Sequence, residues 1–196
     1  MHLATTDAGN DLLDRDPLAL LTGMLLDQQI PMEKAFTSPS VLLERLGGDA
    51  DALDAAQIAA LDPDALVELF RTPPALHRFP GSMAARVQEL CQVLVREYGG
   101  RAEAVWADVD TGEELLARVA ALPGFGAQKA KIFVALLGKR YGVQPAGWRE
   151  AAGSYGEEGS YRSVADVVDA ASLLKVRSTK QEAKRAAKAA AGEGTR

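Results

Sequence analysis

Residues 115–137 read LLARVAALPGFGAQKAKIFVALL, and this stretch decides the fold. Leu115, Leu116 and Val119 share one helical face, and Ile132, Phe133, Leu136 and Leu137 share another. Between them, Leu122-Pro123-Gly124-Phe125-Gly126 is too short for a domain linker and too rich in glycine to be helical. Two apolar-faced helices joined by a tight glycine turn make an αα-hairpin. A glycine turn presents bare backbone, so N–H groups at the start of the second helix can face an anion, phosphate being the obvious one.

Charge points the same way. From Leu115 to Arg149 there is no Asp or Glu, while Arg118, Lys129, Lys131, Lys139, Arg140 and Arg149 contribute +6. The whole chain carries −5, so the basic block stands against an acidic background. A locally basic hairpin that aims main-chain donors at phosphate grips a nucleic-acid backbone without reading bases. The plainer reading, a helical corner with solvated lysines, accounts for the charge equally well. The glycine turn favours DNA.

The run Leu122-Pro-Gly-Phe-Gly-Ala-Gln-Lys-Ala130 resembles the helix-hairpin-helix signature of the HhH-GPD superfamily of DNA glycosylases, the base-excision enzymes related to endonuclease III and the adenine glycosylases. The resemblance extends over roughly Asp16 to Lys139. It implies an all-α, two-lobed helical fold with the hairpin at the edge of a cleft, acting as a monomer on double-stranded DNA. The implied organisation is an N-terminal arm over 1–15, a helical domain over 16–174 with the hairpin at 113–139, and a basic Ala/Lys-rich tail over 175–196. The implied DNA contacts are Gly124, Phe125, Gly126, Gln128, Lys129 and Lys131 of the hairpin. To these the family adds a Gln-containing turn that enters the duplex beside the extruded nucleotide, which Gln29 matches best with Gln28 beside it. A side-chain amide suits that task because it can bond an orphaned base edge. The family also implies a monovalent cation held by main-chain carbonyls, here those of Ala120, Leu122 and Phe125.

The chemistry departs from the family. Breaking an N-glycosidic bond leaves an oxocarbenium-like sugar, which a carboxylate near C1′ stabilises. Eighteen positions on from Gln128, where the family has its Asp, this chain has Ala146, and its neighbours from Gln144 to Trp148 include no acid. Gln128 itself replaces the nucleophilic Lys of the bifunctional members, so no lyase activity on abasic sites is expected. Met24 stands where the adenine-specific branch has a further acid. Asp27 and Glu150 are the two candidates for a relocated carboxylate, and Trp148 is a candidate to stack on a displaced base. Three classes stay open: a monofunctional glycosylase, a non-catalytic reader of damaged or distorted DNA, and a helical protein-interaction module.

The remaining sequence bounds these readings. At 196 residues and 47% hydrophobic, the chain can bury a real core. No run approaches the roughly twenty apolar residues of a membrane span, and Met1 to Asn10 does not read as a signal peptide. Cys91 is the only cysteine, which fits a reducing cytoplasm (the nucleoid, in a bacterium) and excludes a four-cysteine iron–sulfur cluster. It lies on the apolar stripe of the clearest helix, Ser82 to Tyr98, and reads as a core thiol. Asp16-Pro17, Ser38-Pro39 and Asp62-Pro63 each read as a cap before a helix-opening proline, the second helix closing at Gly47-Gly48. Residues 71–81, with three prolines, form a loop whose His77 reads as solvated. Ser163 to Leu174 reads as a short capped helix, and Lys175 to Arg196 carries seven basic and two acidic residues, either a phosphate-contacting arm or a fraying terminus.

Overall fold

A computed structural model describes residues 2–47 and 51–193; Met1, residues 48–50 and the last three residues of the basic tail lie outside it, Gly48 of the expected helix end among them. Among the described residues ten α-helices run α1 (Asp7–Arg15), α2 (Pro17–Leu26), α3 (Met32–Leu46), α4 (Ala55–Ala60), α5 (Pro63–Arg71), α6 (Pro80–Tyr98), α7 (Gly112–Ala120), α8 (Ala127–Arg140), α9 (Trp148–Ala152) and α10 (Ala170–Glu193). Among the described residues there is no strand, only an isolated bridge between Thr111 and Ala146. The all-α expectation holds.

One lobe is built on α2. Every residue from Leu18 to Leu26 is buried, so this helix has no solvent face and is wrapped by neighbours. Asp16 opens it as predicted: one carboxylate oxygen accepts from the N–H groups of Leu18 (2.8 Å) and Ala19 (3.2 Å), the other from that of Leu53 (2.8 Å). Burial pushes the Asp16 carboxyl up, against the pull of those three N–H groups. Asp62 caps α5 in the same way. Ser38 does not cap a helix. Pro39 sits inside α3, which begins seven residues earlier at Met32. The Ser38 hydroxyl instead donates to the carbonyls of Lys34 and Leu76, tying α3 to the loop after α5. Residues 7–15 of the N-terminal segment form α1, which buries Leu12 and Leu13.

The second lobe is the hairpin α7–α8 with α9 folded across it. Gly112 and Gly138 make this possible. A Cβ on Gly112 would lie 2.5 Å from the Trp148 Cα, and one on Gly138 would lie 2.3 Å from the Trp148 ring. Phe125 and Phe133 meet edge to face at 5.6 Å, which anchors the turn to α8. The segment expected as one helix over 163–174 is two elements. A Ser163 capping box closes a single 3₁₀ turn, Val164–Asp166, and α10 then starts at Ala170 and runs on into the basic tail. Asp166 breaks the continuity, because its carboxylate is committed to the Ser163 N–H and to a buried ion pair with Lys139 at 2.6 Å.

Thr22 Oγ1, in the middle of α2, has no hydrogen-bond partner, the one such buried side-chain atom among the described residues. Thr22→Val removes the unsatisfied hydroxyl at nearly constant shape. It should raise stability by about 1 kcal/mol, roughly 2–4 °C in Tm, on a thermal melt.

Candidate nucleic-acid interface and cleft

The core helix α2 ends at Asp27, whose N–H makes the last helical bond to Gly23 (3.0 Å). The two glutamines that follow are treated differently. Gln28 is immobilised: its Nε2 donates to the Leu25 carbonyl (2.8 Å) and contacts Met83 Sδ (3.4 Å), and its Oε1 accepts from Arg86 (3.0 Å). Gln29 is exposed, and among the described residues no hydrogen bond holds its side chain. Its φ is +57°, a left-handed conformation that costs a non-glycine residue about 1–2 kcal/mol and is kept only where the surroundings impose it. Those surroundings are the buried α2 before it and α3 after it. The turn therefore holds Gln29 outward while Gln28 serves as its mount.

His77 is part of the same mount, not a solvated loop residue. It is buried; its Nδ1 accepts the Phe79 N–H (3.0 Å), so Nε2 carries the proton and donates to the Gln28 carbonyl (3.0 Å). Burial holds its pKa below the usual histidine range. Sequence offered no sign of this, because the partners are backbone groups 49 and two residues away.

The hairpin turn faces this corner. Leu122 to Phe125 has the residues of a type II turn, with the Phe125 N–H donating to the Leu122 carbonyl (3.1 Å) and Gly124 at φ +80°. A Cβ on Gly124 would lie 3.3 Å from Leu25 Cγ, so the turn rests on the end of α2. Gly126 caps α8 without a side chain, which leaves the first-turn N–H groups of α8 with no side-chain cap. Gly126, Ala127, Gln128 and Lys131 are exposed there, the arrangement expected for a phosphate seat. The turn bond occupies one lone pair of the Leu122 carbonyl.

Lys129 turns the other way. Its Nζ donates to the Leu25 carbonyl at 2.8 Å, supplying α2 with the C-terminal cation that its own last turn lacks. Burial brings the Lys129 pKa down to about 8, against the pull of Asp27. Lys129 and Asp27 both line a cleft of about 500 Å³ between the Gln28–Gln29 turn, α8 and α10. Gln128 lines it too and donates from Nε2 to the Tyr155 hydroxyl (2.8 Å), leaving the phenol proton available to a ligand. Met24 and Ile132 give apolar surface, while Arg162, Thr179 and Lys180 close the far side.

Asp27 is the one carboxylate on the cleft wall among the described residues. Burial raises its pKa, opposed by the charges of Lys180 and then Lys129. Glu150 is exposed on α9 and does not line the cleft. Ala146 is consumed by structure, its N–H bonded to Asp110 (3.1 Å) and its carbonyl to Gly112 (2.7 Å). Trp148 is 7% exposed, packed on Gly138 with the Arg149 guanidinium 4.5 Å above its ring; it holds the lobe together and presents no stacking face. Cys91 is buried as expected, its thiol pushed up to about 12 by desolvation. The sequence reading missed Tyr155, Arg162, Thr179 and Lys180; the last two lie in the segment read as a basic tail.

The Gln28–Gln29 turn, the glycine hairpin beside it and the cleft of about 500 Å³ lie together at one corner of the molecule. The chain belongs to the HhH-GPD superfamily of base excision DNA repair proteins, whose family model matches residues 22–194. No curated protein and no solved structure matches it. None of the described helices is long and apolar enough to cross a membrane.

Proposed function

We propose that this protein is a monofunctional DNA glycosylase that extrudes a damaged base into the cleft and uses Asp27 as its carboxylate. The observation that carries this reading is that Asp27 is the one acid on the cleft wall among the described residues, next to the wedge turn that would open the duplex. Gln29 enters the vacated stack. The α8 N-terminus and Lys131 take the phosphate backbone, and the carbonyls of Ala120, Leu122 and Phe125 would hold a monovalent cation that adds positive charge under it. In the reaction the C1′–N bond breaks with its electron pair leaving on the base, which takes up a proton, and water adds to C1′ and gives one up, so that C1′ ends as a hydroxyl. Asp27 stabilises the cationic sugar, with Lys129 among the cations that favour its charged form.

The test is base release from duplexes carrying deaminated, oxidised, alkylated or mismatched bases, with alkali revealing the abasic product. Release that Asp27→Asn abolishes supports the reading. Selective retention of one duplex with no release supports a non-catalytic lesion reader, which Ala146 at the family's acid position favours. The two lysines of the hairpin separate in a salt titration. Lys131→Ala should weaken binding to every duplex and reduce the log–log salt slope by about 1, because it removes one phosphate contact. Lys129→Ala should leave the slope unchanged, since that amine is turned onto Leu25.

A further inference from the structure

The basic C-terminal segment is docked on the site. Helix α10 buries Val176, pairs Arg177 with Glu33 of α3, and lays Lys175 over the Tyr161 ring at 4.6 Å. Its first turn is fixed by Ser172 and Asp169, whose side chains bond each other's backbone N–H groups at 2.9 and 2.7 Å. These anchors orient the next turn, so that Thr179, Lys180 and Ala183 become cleft wall.

We propose that α10 is a working part of the cleft, in which Lys180 is a positioning residue that faces Asp27 and keeps that carboxylate charged. The charged groups around Asp27 come from every element that meets there: Lys129 from α8, Lys180 from α10, Arg162 from the segment before the 3₁₀ turn, and Arg86 from α6 through Gln28. Three of these cations have other partners, Arg86 being the one that donates to Gln28 Oε1. Lys129 donates to the Leu25 carbonyl, and Arg162 pairs with Glu157 at 3.1 Å. Lys180 lines the same cleft as Asp27, is exposed on its helix, and has no hydrogen bond or ion pair among the described residues, so no other group holds its charge away from the cleft. Of the surrounding cations it does most to hold Asp27 in its charged form, ahead of Lys129. A segment read from sequence as an arm or a fraying end thus contributes to the environment of the proposed catalytic acid.

The inference rests on Asp27 being the functional carboxylate, but its test does not need turnover. The Asp27 side-chain carboxyl carbon is followed by NMR against pH in the full chain, in wild type, Lys180→Met and Lys180→Arg. Lys180→Met should move the Asp27 midpoint up by about half a pH unit or more, and Lys180→Arg should restore it. Lys180 is exposed, so both variants should melt with wild type. An unmoved midpoint in Lys180→Met overturns the proposal, as does an Arg variant that behaves like Met. If wild type releases no base from any duplex, the glycosylase reading fails while the titration still decides the role of Lys180. If it does release base, the acid limb of the pH profile should move with the same midpoint.

Discussion

Asp27→Asn is expected to lower base release by about 10²–10³-fold, the usual cost of removing one preorganised group that stabilises transition-state charge. DNA binding should stay within about threefold, since Asn keeps the shape and Asp27 makes no phosphate contact in this reading. The fold should not suffer. A carboxyl whose folded pKa is raised resists ionisation in the native state, so it subtracts stability above its unfolded pKa and stops subtracting only when protonated. Removing it should therefore leave the melt at pH 7 unchanged or higher. Lost activity at equal or greater stability is the signature of a functional group, and a structural acid would show the reverse. The pH profile carries a second signature. Release should fall on the acid side as Asp27 protonates, at a pH above the ordinary carboxylate range. A measured acid limb that lies within the ordinary carboxylate range would remove Asp27 from the mechanism.

Gly112→Val is expected to be the most damaging single substitution outside the cleft. A Cβ there would meet the Trp148 Cα at 2.5 Å, the Gly147 carbonyl at 2.6 Å and the Trp148 N at 2.6 Å, all backbone atoms with no rotamer to adopt. Gly112 also donates its N–H to Ala146 at 2.7 Å, so helix α7 cannot retreat without breaking that bridge. The cost should be at least about 3 kcal/mol, the upper end of overpacking penalties, and a loss of roughly 6–12 °C in Tm. Gly81→Ala is the control. A Cβ there meets nothing within 4 Å, and an alanine in the first turn of α6 should be neutral or mildly stabilising. Because α9 is displaced first, DNA binding should decline with temperature before the α2 lobe unfolds. A Gly112→Val protein melting with wild type would show that α9 does not close on α7.

Much of this was legible in the chain. The hairpin was readable because its signals are local: apolar spacing on both sides, a proline and glycine at the turn, and a run without acids. The caps of α2 and α5 were readable for the same reason, since Asp16 and Asp62 bond N–H groups two and three residues away. Ser38-Pro39 shows where local pattern fails. The same dipeptide sits inside a helix because α3 has a buried apolar face from Met32 onward, and tertiary packing outweighs one missing N–H.

The site was half legible. Gln28 and Gln29 are neighbours of identical type, and only the fold separates them, committing one amide to Leu25, Met83 and Arg86 and turning the other outward. Lys129 and Lys131 are likewise two positions apart, and the helical twist sends one into the cleft and the other to solvent. The sequence by itself determined the all-helical class, the hairpin, the absence of an acid at position 146 and the lack of cysteines for a cluster. These follow from residue identity and short-range spacing. Tertiary structure alone decided that Asp27 and not Glu150 borders the cleft, that Trp148 is a strut, and that Lys180 reaches a site whose first residue, Met24, lies far up the chain. Electrostatic environment and burial depend on distances in space, and between residues so remote in sequence those distances exist only after folding.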